Sequence, residues 1–286
     1  MNYRHHYHAG NFADVAKHLV LLALVDGMQR KEKGFLYLDT HAGRGAYDLM
    51  GAARGDVLAR RPEWPDGWGR LTKDGKTGGV LVQRYLAAVS EFAESMGGDG
   101  KPYPGSPALV AARLREQDRA VFCERHPEEY GALVTTLLGF RRTRAEERDG
   151  YEAMQGNLPP KERRALVLID PPYEQSDESE RVTAALRDGL RRLPGGTFAV
   201  WYPITERVGV PAFVRAAEPG HFPPTWKAEL TIAGPESGLK MRGAGVMVVN
   251  PPWQLDAQVK PVMVWLGEQL QQAPGSGGEL HWLVPE

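Results

Sequence analysis

The segment that most restricts the fold of this chain is a continuous apolar run, Ala165–Ile169, followed at once by Asp170-Pro171-Pro172-Tyr173. Such a short run is typical of a buried strand in a parallel sheet. Because proline fixes its own φ and restrains the residue before it, the Asp170 side chain and the Pro171 carbonyl are held in one geometry. Two acceptors directed at one point suit a planar NH2 group, and the face of Tyr173 suits stacking on the ring that carries it. The segment therefore predicts a site for an amino group on a nucleobase.

Further apolar runs alternate with segments of helical periodicity, which favours an α/β fold with a mostly parallel, doubly wound sheet. The other predicted strands are Phe35–Leu38, Ala120–Cys123, Thr197–Trp201, Lys227–Ile232 and Gly245–Val249. The predicted helices are Phe12–Arg30 with Asn11 as N-cap, Pro107–Gln117 with Ser106 as N-cap and Pro107 at position N1, and Ser179–Leu193.

The interval between the first two of these strands, from Asp39 to Ala120, is far longer than a helical crossover requires. It contains a segment rich in glycine and arginine and then an amphipathic pattern that predicts a helix over Val80–Ser95. We therefore expect an inserted helical subdomain over residues 46–101, with the main domain formed by residues 1–45 and 102–286. A solvated elaboration without a role of its own is an equally good interpretation of the insertion.

Composition narrows the classes of partner. The net charge of −1 over 286 residues means that attraction to a polyanion must come from local basic patches, such as Lys240 and Arg242 in a glycine-rich loop. The single cysteine, Cys123, excludes a disulfide within the chain and suits a reducing compartment. The longest purely apolar run, Leu19–Val25, is too short to span a bilayer, and the N-terminus lacks the apolar core of a signal peptide. We expect a cytoplasmic protein with no membrane partner.

Three other strand ends carry residues that suit a nucleoside. The first strand runs into a turn with Gly43 and Gly45, which lets a ligand approach the backbone closely. Glu124, at the end of the second strand, is suited to accept hydrogen bonds from ribose hydroxyls, and Asp149, followed by Gly150, could receive an adenine amino group. Taken singly, Glu124 is better explained as a surface charge, and the alternative for Asp149 is a plain Asp-Gly turn.

The order of these residues favours the functional interpretation. With Asp170 they would lie side by side along the carboxyl edge of one sheet, forming a cleft with an adenosine-binding half and an amino-binding half. A donor that contains adenosine and reacts with an amino group suggests S-adenosylmethionine and N-methyl transfer. The dinucleotide fingerprint G-x-G-x-x-G is absent, so a pyrophosphate site is not supported.

The N-terminal segment is rich in histidine, with His5, His6, His8 and His18. Imidazoles suit zinc or iron, but no cysteine pair or glutamate at ligand spacing accompanies them, so we expect no metal site. We favour a positively charged lid over the cleft, formed by Arg4, the histidines and Lys17. Lys17, near the start of its helix, would meet the carboxylate of the donor, with a solvated helix face as the alternative.

A near-copy of the first motif, Asn250-Pro251-Pro252-Trp253, also follows an apolar strand. Asparagine accepts hydrogen bonds as aspartate does, so this segment competes for the catalytic role. Only 33 residues follow Trp253, which is too few for the remaining strands of a doubly wound sheet. The topology therefore favours Asp170.

Several short segments together carry a resemblance to a known family. They are Tyr3-Arg4-His5, His8–Asn11 with Asp14, Lys17-His18, Tyr37–Gly43, Tyr103–Pro107, Leu114–Asp118, Asp149-Gly150, Asp170–Tyr173, Trp201–Pro203, Asn250–Trp253 and Val284–Glu286. In them the chain resembles, over nearly its full length, the bacterial 23S ribosomal RNA adenine-N6 methyltransferases of the RlmJ type. This family was earlier described as needed for using DNA as a nutrient.

The resemblance implies a Rossmann-like class I methyltransferase with a small helical insertion after the first strand. It implies S-adenosyl-L-methionine as the cofactor and 23S ribosomal RNA, naked or in a subunit precursor, as the partner of an enzyme that we expect to be a monomer. The residues implied to contact the donor are Lys17 or His18, His41, Ser106, Glu124, Asp149 and Gly150. Asp170 is implied as the catalytic residue and Tyr3 as a neighbour of the substrate, where we also place Arg4. The insertion departs from the family pattern in length and composition.

We therefore expect transfer of a methyl group to N6 of an adenine turned out of its stack. Asp170 and the Pro171 carbonyl would accept the two N6 hydrogens, and Tyr173 would stack on the ring. Two rival functions remain at this stage. One is a DNA adenine-N6 methyltransferase with the same cleft, and the other is a metal-dependent nuclease built on the N-terminal histidines.

Overall fold

The computed structural model describes residues 7–50, 61–97, 102–205, 209–217 and 221–286. The predicted roles of Tyr3, Arg4, His5 and His6 fall outside these described residues.

The centre of the fold is an eight-stranded sheet, accompanied by a separate two-stranded ribbon. In chain order the strands are β1 (Leu36–Asp39), β2 (Ala46–Asp48), β3 (Pro102–Pro104), β4 (Arg119–Glu124), β5 (Thr143–Glu147), β6 (Ala165–Ile169), β7 (Thr197–Thr205), β8 (Thr225–Thr231), β9 (Met241–Val249) and β10 (Gly277–Val284). Across the large sheet the order is β10-β8-β9-β7-β6-β1-β4-β5, and β2 pairs with β3 in the ribbon.

Direction divides the large sheet into two parts. Strands β5, β4, β1, β6 and β7 are parallel to one another. The remaining three pairs are antiparallel: β9 with β7, β8 with β9 and β10 with β8. The chain winds outward from β1 through β4 to β5 and then returns to the other side of β1 as β6. The connections above β1 and β6 therefore diverge, and this switch point leaves a crevice at the carboxyl ends of the two strands. The predicted mostly parallel, doubly wound sheet is confirmed.

Helices cover both faces of this sheet. They are α1 (Phe12–Gln29), α2 (Trp68–Asp74), α3 (Gly79–Ser95), α4 (Ser106–Ala111), α5 (Pro127–Leu137), α6 (Gly150–Asn157), α7 (Glu178–Arg192), α8 (Ala212–Ala216) and α9 (Asp256–Gln269). The side chain of Asn11 accepts hydrogen bonds from the amides of Ala13 and Asp14 at 2.9 Å, so the predicted N-cap of α1 is confirmed. Helix α1 is buried on almost every side because it lies on the sheet and is covered in turn by α3, α4 and α9.

The predicted helix Pro107–Gln117 is wrong in length and in its cap. Helix α4 ends at Ala111, because the Asp118 side chain closes a turn by accepting hydrogen bonds from both the amide and the guanidinium of Arg115. Gly105 is the N-cap, and Ser106 is already helical, with no side-chain capping bond. The hydroxyl of Ser106 donates instead to Asp39.

Strand prediction succeeded in the interior of the sheet and was incomplete at its edges. The bounds of β6 were predicted correctly, while β7 and β9 extend beyond the predicted runs because they pair with each other antiparallel along most of their length. Strands β5 and β10 form the two edges of the sheet and carry alternating exposed polar residues, so they lack the continuous apolar run that marks an interior strand.

The ribbon of β2 and β3 stands close to the predicted limits of the insertion, with Tyr47 opposite Tyr103. Between the two strands lie α2 and the predicted amphipathic helix, α3, whose buried face packs against α1 and α9. The treatment of residues 46–101 as a distinct subdomain stays a prediction.

Alternate side chains of the central strands belong to two separate buried clusters, one on each face of the sheet. In β1, for example, Tyr37 belongs to the first cluster, and Leu36 and Leu38 belong to the second. Over the described ranges, no helix is both long enough and apolar enough to cross a membrane.

Candidate active site

A cavity of about 1030 Å3 opens at the switch point. It brings together nine of the residues that the sequence singled out: Lys17, His18, His41, Ser106, Glu124, Asp149, Gly150, Asp170 and Pro171. The volume is at the upper limit of the roughly 300–1,000 Å3 that is usual for a ligand pocket. The tip of the β8–β9 hairpin also lines the cavity, through Ile232, Leu239, Lys240 and Met241.

Asp170 follows the last residue of β6 and is already paired in the cavity. The ammonium of Lys17 lies 2.7 Å from Asp170 Oδ2 and 2.9 Å from Asp14 Oδ1, and the side chains of Lys17 and Asp14 are buried. Burial alone would lower the pKa of Lys17, but the two carboxylates raise it well above its usual value. Lys17 is therefore charged and is shared by two acids, and its predicted contact with the donor carboxylate stays a prediction.

The acceptors that the sequence assigned to an amino group remain available. Within the described part of the chain, Asp170 Oδ1 and the carbonyl of Pro171 accept no hydrogen bond. The other carboxylate oxygen of Asp170, Oδ2, accepts the hydrogen bond from Lys17. The geometry thus leaves one carboxylate oxygen and one carbonyl oxygen of adjacent residues for a ligand.

Tyr173 lies beside the cavity and does not line it. Its φ of 51° is in the left-handed region, a conformation that costs a non-glycine residue about 1–3 kcal/mol. Its hydroxyl donates to the carbonyl of Trp201 at 2.8 Å, and the two rings meet edge to face with centroids 5.9 Å apart. Trp201 does line the cavity, with the Lys17 ammonium 6.0 Å from the centre of its ring. Stacking of Tyr173 on a base stays a prediction.

The turn after β1 orients Glu124. Gly43, with a φ of 59°, donates its amide to Glu124 Oε2 at 2.9 Å, and the amide of His126 donates to Oε1 at 2.7 Å. Two backbone amides thus fix the carboxylate at the rim of the cavity, with further lone pairs for hydroxyl donors. This arrangement suits the predicted ribose contact.

Asp149 and Gly150 begin α6 next to the same turn. Asp149 Oδ1 accepts hydrogen bonds from the amides of Tyr151 and Glu152, so this residue is the N-cap of α6 rather than part of a plain turn. A Cβ atom on Gly150 would lie only 2.0 Å from the carbonyl oxygen of Thr40. Glycine is therefore required here so that the start of α6 can approach the end of β1.

His41 and Ser106 are organised by the end of β1. Burial lowers the pKa of His41 from 6.5 to about 4, so its imidazole is neutral at neutral pH, and Nδ1 lies 2.8 Å from the hydroxyl of Thr40. The hydroxyl of Ser106 donates to Asp39 Oδ2 at 2.8 Å, and the hydroxyl of Tyr37 donates to the same oxygen at 3.0 Å.

Asp39 itself was missed by the sequence reasoning as a site residue. It is fully buried, and burial raises its pKa from 3.8 to about 6, an effect that the hydrogen bond from Ser106 partly offsets. Its position directly after an apolar run, as for Asp170, was the available signal.

His18, deep in the cavity wall, is joined to two buried tyrosines. Its Nδ1 lies 3.1 Å from the hydroxyl of Tyr103, which lies 2.5 Å from the hydroxyl of Tyr85. The other described N-terminal histidine, His8, pairs with Glu63 at 3.0 Å. Among the described residues there is no group of three or more potential metal ligands.

The second motif, Asn250-Pro251-Pro252-Trp253, lies where the parallel strands begin, at the end of the sheet away from the cavity. Because β9 is antiparallel to β7, Asn250 at its end is next to the start of β7 and far from the carboxyl ends of β1 and β6. Its amide donates to the carbonyls of Pro194 and Gly196, at 2.8 and 2.9 Å. The preference for Asp170 thus rests on strand direction, a stronger reason than the number of residues that follow.

A doubly wound sheet whose switch-point crevice is lined by Glu124, Asp149 and the start of the Asp-Pro-Pro-Tyr segment defines a Rossmann-like class I methyltransferase that uses S-adenosylmethionine. Comparisons with known proteins specify the family. The family model described as "Ribosomal RNA large subunit methyltransferase D, RlmJ" matches residues 32–284. The chain belongs to this RlmJ family.

Individual relatives agree over the whole length. Proteins named "Ribosomal RNA large subunit methyltransferase J" from Escherichia coli (strain K12) and Haemophilus influenzae are each 35% identical to this chain over 286 residues, 100% of both sequences. A crystal structure of a Legionella pneumophila protein is 30% identical, with a TM-score of 0.84 over 96% of this chain and 97% of its own. The predicted class, fold and cofactor are confirmed, whereas the roles of single residues stay predictions.

Proposed function

We propose that this protein transfers the methyl group of S-adenosylmethionine to N6 of an adenine in 23S ribosomal RNA. The observation that carries the proposal is a pair of acceptors at the cavity wall, Asp170 Oδ1 and the Pro171 carbonyl, that no donor among the described residues satisfies. An exocyclic amino group has two hydrogens in one plane, and this pair suits them. The names of the two full-length relatives support ribosomal RNA as the substrate.

The donor supplies an electrophilic methyl group on its sulfonium sulfur. In the proposed arrangement Glu124 accepts hydrogen bonds from the ribose hydroxyls, and the adenine of the donor lies near Asp149 and Gly150. His18, His41 and Ser106 line the rest of the donor half. Holding nitrogen, methyl carbon and sulfur in line supplies much of the rate, because alignment removes an entropic part of the barrier.

Asp170 and Pro171 orient the target nitrogen. By accepting the two N6 hydrogens they direct the nitrogen lone pair toward the methyl group. The nitrogen becomes cationic as the new bond forms, and the negative charge of Asp170 stabilises it. The bond between sulfur and the methyl carbon breaks as the bond to nitrogen forms, and S-adenosylhomocysteine leaves. The nitrogen then passes one proton to solvent, which restores a neutral methylated amine. Lys17 orients Asp170 through Oδ2, at 2.7 Å.

The substrate must be extruded from its stack to reach this depth. Lys240, at the tip of the β8–β9 hairpin, lines the cavity and is proposed to neutralise a phosphate of the extruded nucleotide. Tyr3 and Arg4 are proposed to lie near the substrate, and Tyr173 to stack on the base. We further propose that the chain acts as a monomer in the cytoplasm, a reducing compartment that suits the single buried thiol of Cys123.

The test uses labelled methyl donor with three acceptors: 23S ribosomal RNA that lacks the modification, the same RNA already modified, and duplex DNA. Label should enter only the unmodified RNA, and nucleoside analysis should give N6-methyladenosine. Label on a cytosine, or on DNA alone, would contradict the proposal.

The matched variants are Asp170→Asn and Asp177→Asn, because Asp177 is an exposed residue of the same connection. We expect Asp170→Asn to lose about a hundredfold or more in turnover while it still binds donor, and Asp177→Asn to be unchanged. Equal activity of the two variants would remove Asp170 from the mechanism.

A further inference from the structure

Three buried polar side chains form a hydrogen-bonded chain from the insertion to the donor half of the cavity. Tyr85 lies on α3, Tyr103 on β3 and His18 on α1, and each is at most 1% exposed. The Tyr85 and Tyr103 hydroxyl oxygens are 2.5 Å apart, and Tyr103 is 3.1 Å from His18 Nδ1. Because His18 lines the cavity, its protonation pattern bears directly on what it offers a ligand.

The number of hydrogens available assigns the donor and the acceptor in each of these two hydrogen bonds. Burial raises the pKa of both phenols, so each hydroxyl keeps its hydrogen at neutral pH. Over the residues that the structure describes, the only hydrogen-bond partner of the Tyr85 hydroxyl is that of Tyr103. Tyr85 must therefore donate to Tyr103, since the reverse would leave a buried hydrogen without an acceptor. Tyr103 in turn has one hydrogen, which goes to Nδ1 of His18.

Ring packing fixes the positions of the two tyrosines. Trp68 of α2 meets Tyr85 edge to face with centroids 5.6 Å apart, and its ring centre lies 6.0 Å from that of Tyr103. The backbone amide of Trp68 also donates to the carbonyl of Gly10 at 2.8 Å, just before α1 begins. Trp68 of the insertion therefore contacts both the tyrosine pair and the segment that leads into the helix of His18.

We propose that Tyr103, supported by Tyr85 of the insertion, is a positioning residue that keeps Nδ1 of His18 as an acceptor and Nε2 as the nitrogen that carries hydrogen. This inference rests on the proposed role of His18 in binding the donor. A neutral imidazole with hydrogen on Nε2 donates to an oxygen acceptor, and the strongest such acceptor of the donor is its carboxylate. The insertion thereby serves donor binding.

Nuclear magnetic resonance on protein with isotope-labelled histidine nitrogens tests the assignment, with the His18→Gln variant used to identify the signals. Long-range proton–nitrogen correlations separate a ring nitrogen that carries hydrogen from one that does not. We expect hydrogen on Nε2 in the unliganded wild-type protein. Hydrogen on Nδ1 would overturn the proposal, and this spectrum needs no tyrosine variant to fold.

Three Tyr→Phe variants then test the positioning role. Tyr103→Phe removes the donor to Nδ1, so the tautomer should shift and the dissociation constant for S-adenosylhomocysteine should rise by about fivefold. Tyr85→Phe should keep the tautomer, because Tyr103 can still donate to His18, and should weaken binding about twofold or less. Tyr130→Phe, a half-buried tyrosine of α5, is the control and should change neither quantity.

The proposal is overturned if Tyr103→Phe leaves both the tautomer and the dissociation constant as in the wild type. These readouts do not involve RNA. A protein that showed the expected tautomer and binding shifts but methylated no adenine would therefore refute the proposed substrate and leave the positioning role intact.

Discussion

Replacing Lys17 by methionine tests the electrostatic organisation of the site. The substitution keeps the length and apolar stem of the side chain but removes the charge that lies 2.7 Å from Asp170 and 2.9 Å from Asp14. Breaking a buried ion pair by removing one partner costs about 3–5 kcal/mol, because the remaining charge is left uncompensated. Asp170 is slightly exposed and Asp14 keeps the amide of Gly10 at 3.0 Å, so we expect a loss of about 3 kcal/mol in the free energy of unfolding.

The assay is urea unfolding at several pH values, with Lys73→Met, an exposed lysine of α2, as the control. Because the pKa of Lys17 is raised above 10.5 in the folded protein, the stability that its charge contributes is present below this value and is lost as the pH rises through the folded pKa. The destabilisation should therefore be full at neutral pH and should shrink in strongly alkaline solution. The double variant Lys17→Met/Asp14→Asn should recover about 1 kcal/mol or more, since it removes one of the two carboxylates that lose the ammonium.

A loss below about 1 kcal/mol at neutral pH, or one that does not depend on pH, would refute this account of the site. Donor binding measured on the same variants separates a direct contact of Lys17 with the donor from an effect transmitted through Asp170.

Three further predictions concern other parts of the site. Gly150→Ala places a carbon 2.0 Å from the Thr40 carbonyl and must displace α6, so we expect donor affinity measured by calorimetry to fall about tenfold or more; unchanged affinity would contradict the close approach. The pKa of Asp39 is about 6 in the folded protein and 3.8 in an exposed carboxyl, so its contribution to stability is present at low pH and is lost as the pH rises from 3.8 to 6. Asp39→Asn should therefore gain stability relative to the wild type over that window, by up to about 3 kcal/mol in chemical unfolding. A constant difference across the window would contradict the raised pKa. Asn250→Ala removes two hydrogen bonds to backbone carbonyls and should lower the free energy of unfolding by about 1–3 kcal/mol, while methyl transfer per folded molecule stays at the wild-type rate.

The interior of the fold could be predicted because its signals are local and apolar. The run Ala165–Ile169 is fully buried on both faces of the sheet, and so its sequence alone marks it as a strand. The edge strand β5 reads Thr-Arg-Ala-Glu-Glu, and nothing in that composition differs from a surface loop. It is a strand because it pairs with β4, a tertiary contact that the local sequence does not specify.

The site was predictable where residues follow strands and was not where distant segments meet. Glu124 and Asp170 could be expected at one edge because parallel strands end together. The pairing of Lys17 with Asp170 joins positions 153 residues apart, and the contact of Tyr85 with Tyr103 depends on how the insertion folds back. The rejection of Asn250 required the direction of β9, which no local pattern specifies.

One part of the cavity wall is built differently from the rest. Asp149 and Asp170 lie on connections that follow parallel strands, where a change of length would disturb the packing of a whole layer. The part formed by residues 232–240 is a hairpin tip, and a tip of this kind tolerates insertion or deletion without altering the strands beneath it. Selectivity for a particular RNA partner is thus able to diverge within the fold while the methyl-transfer chemistry is retained.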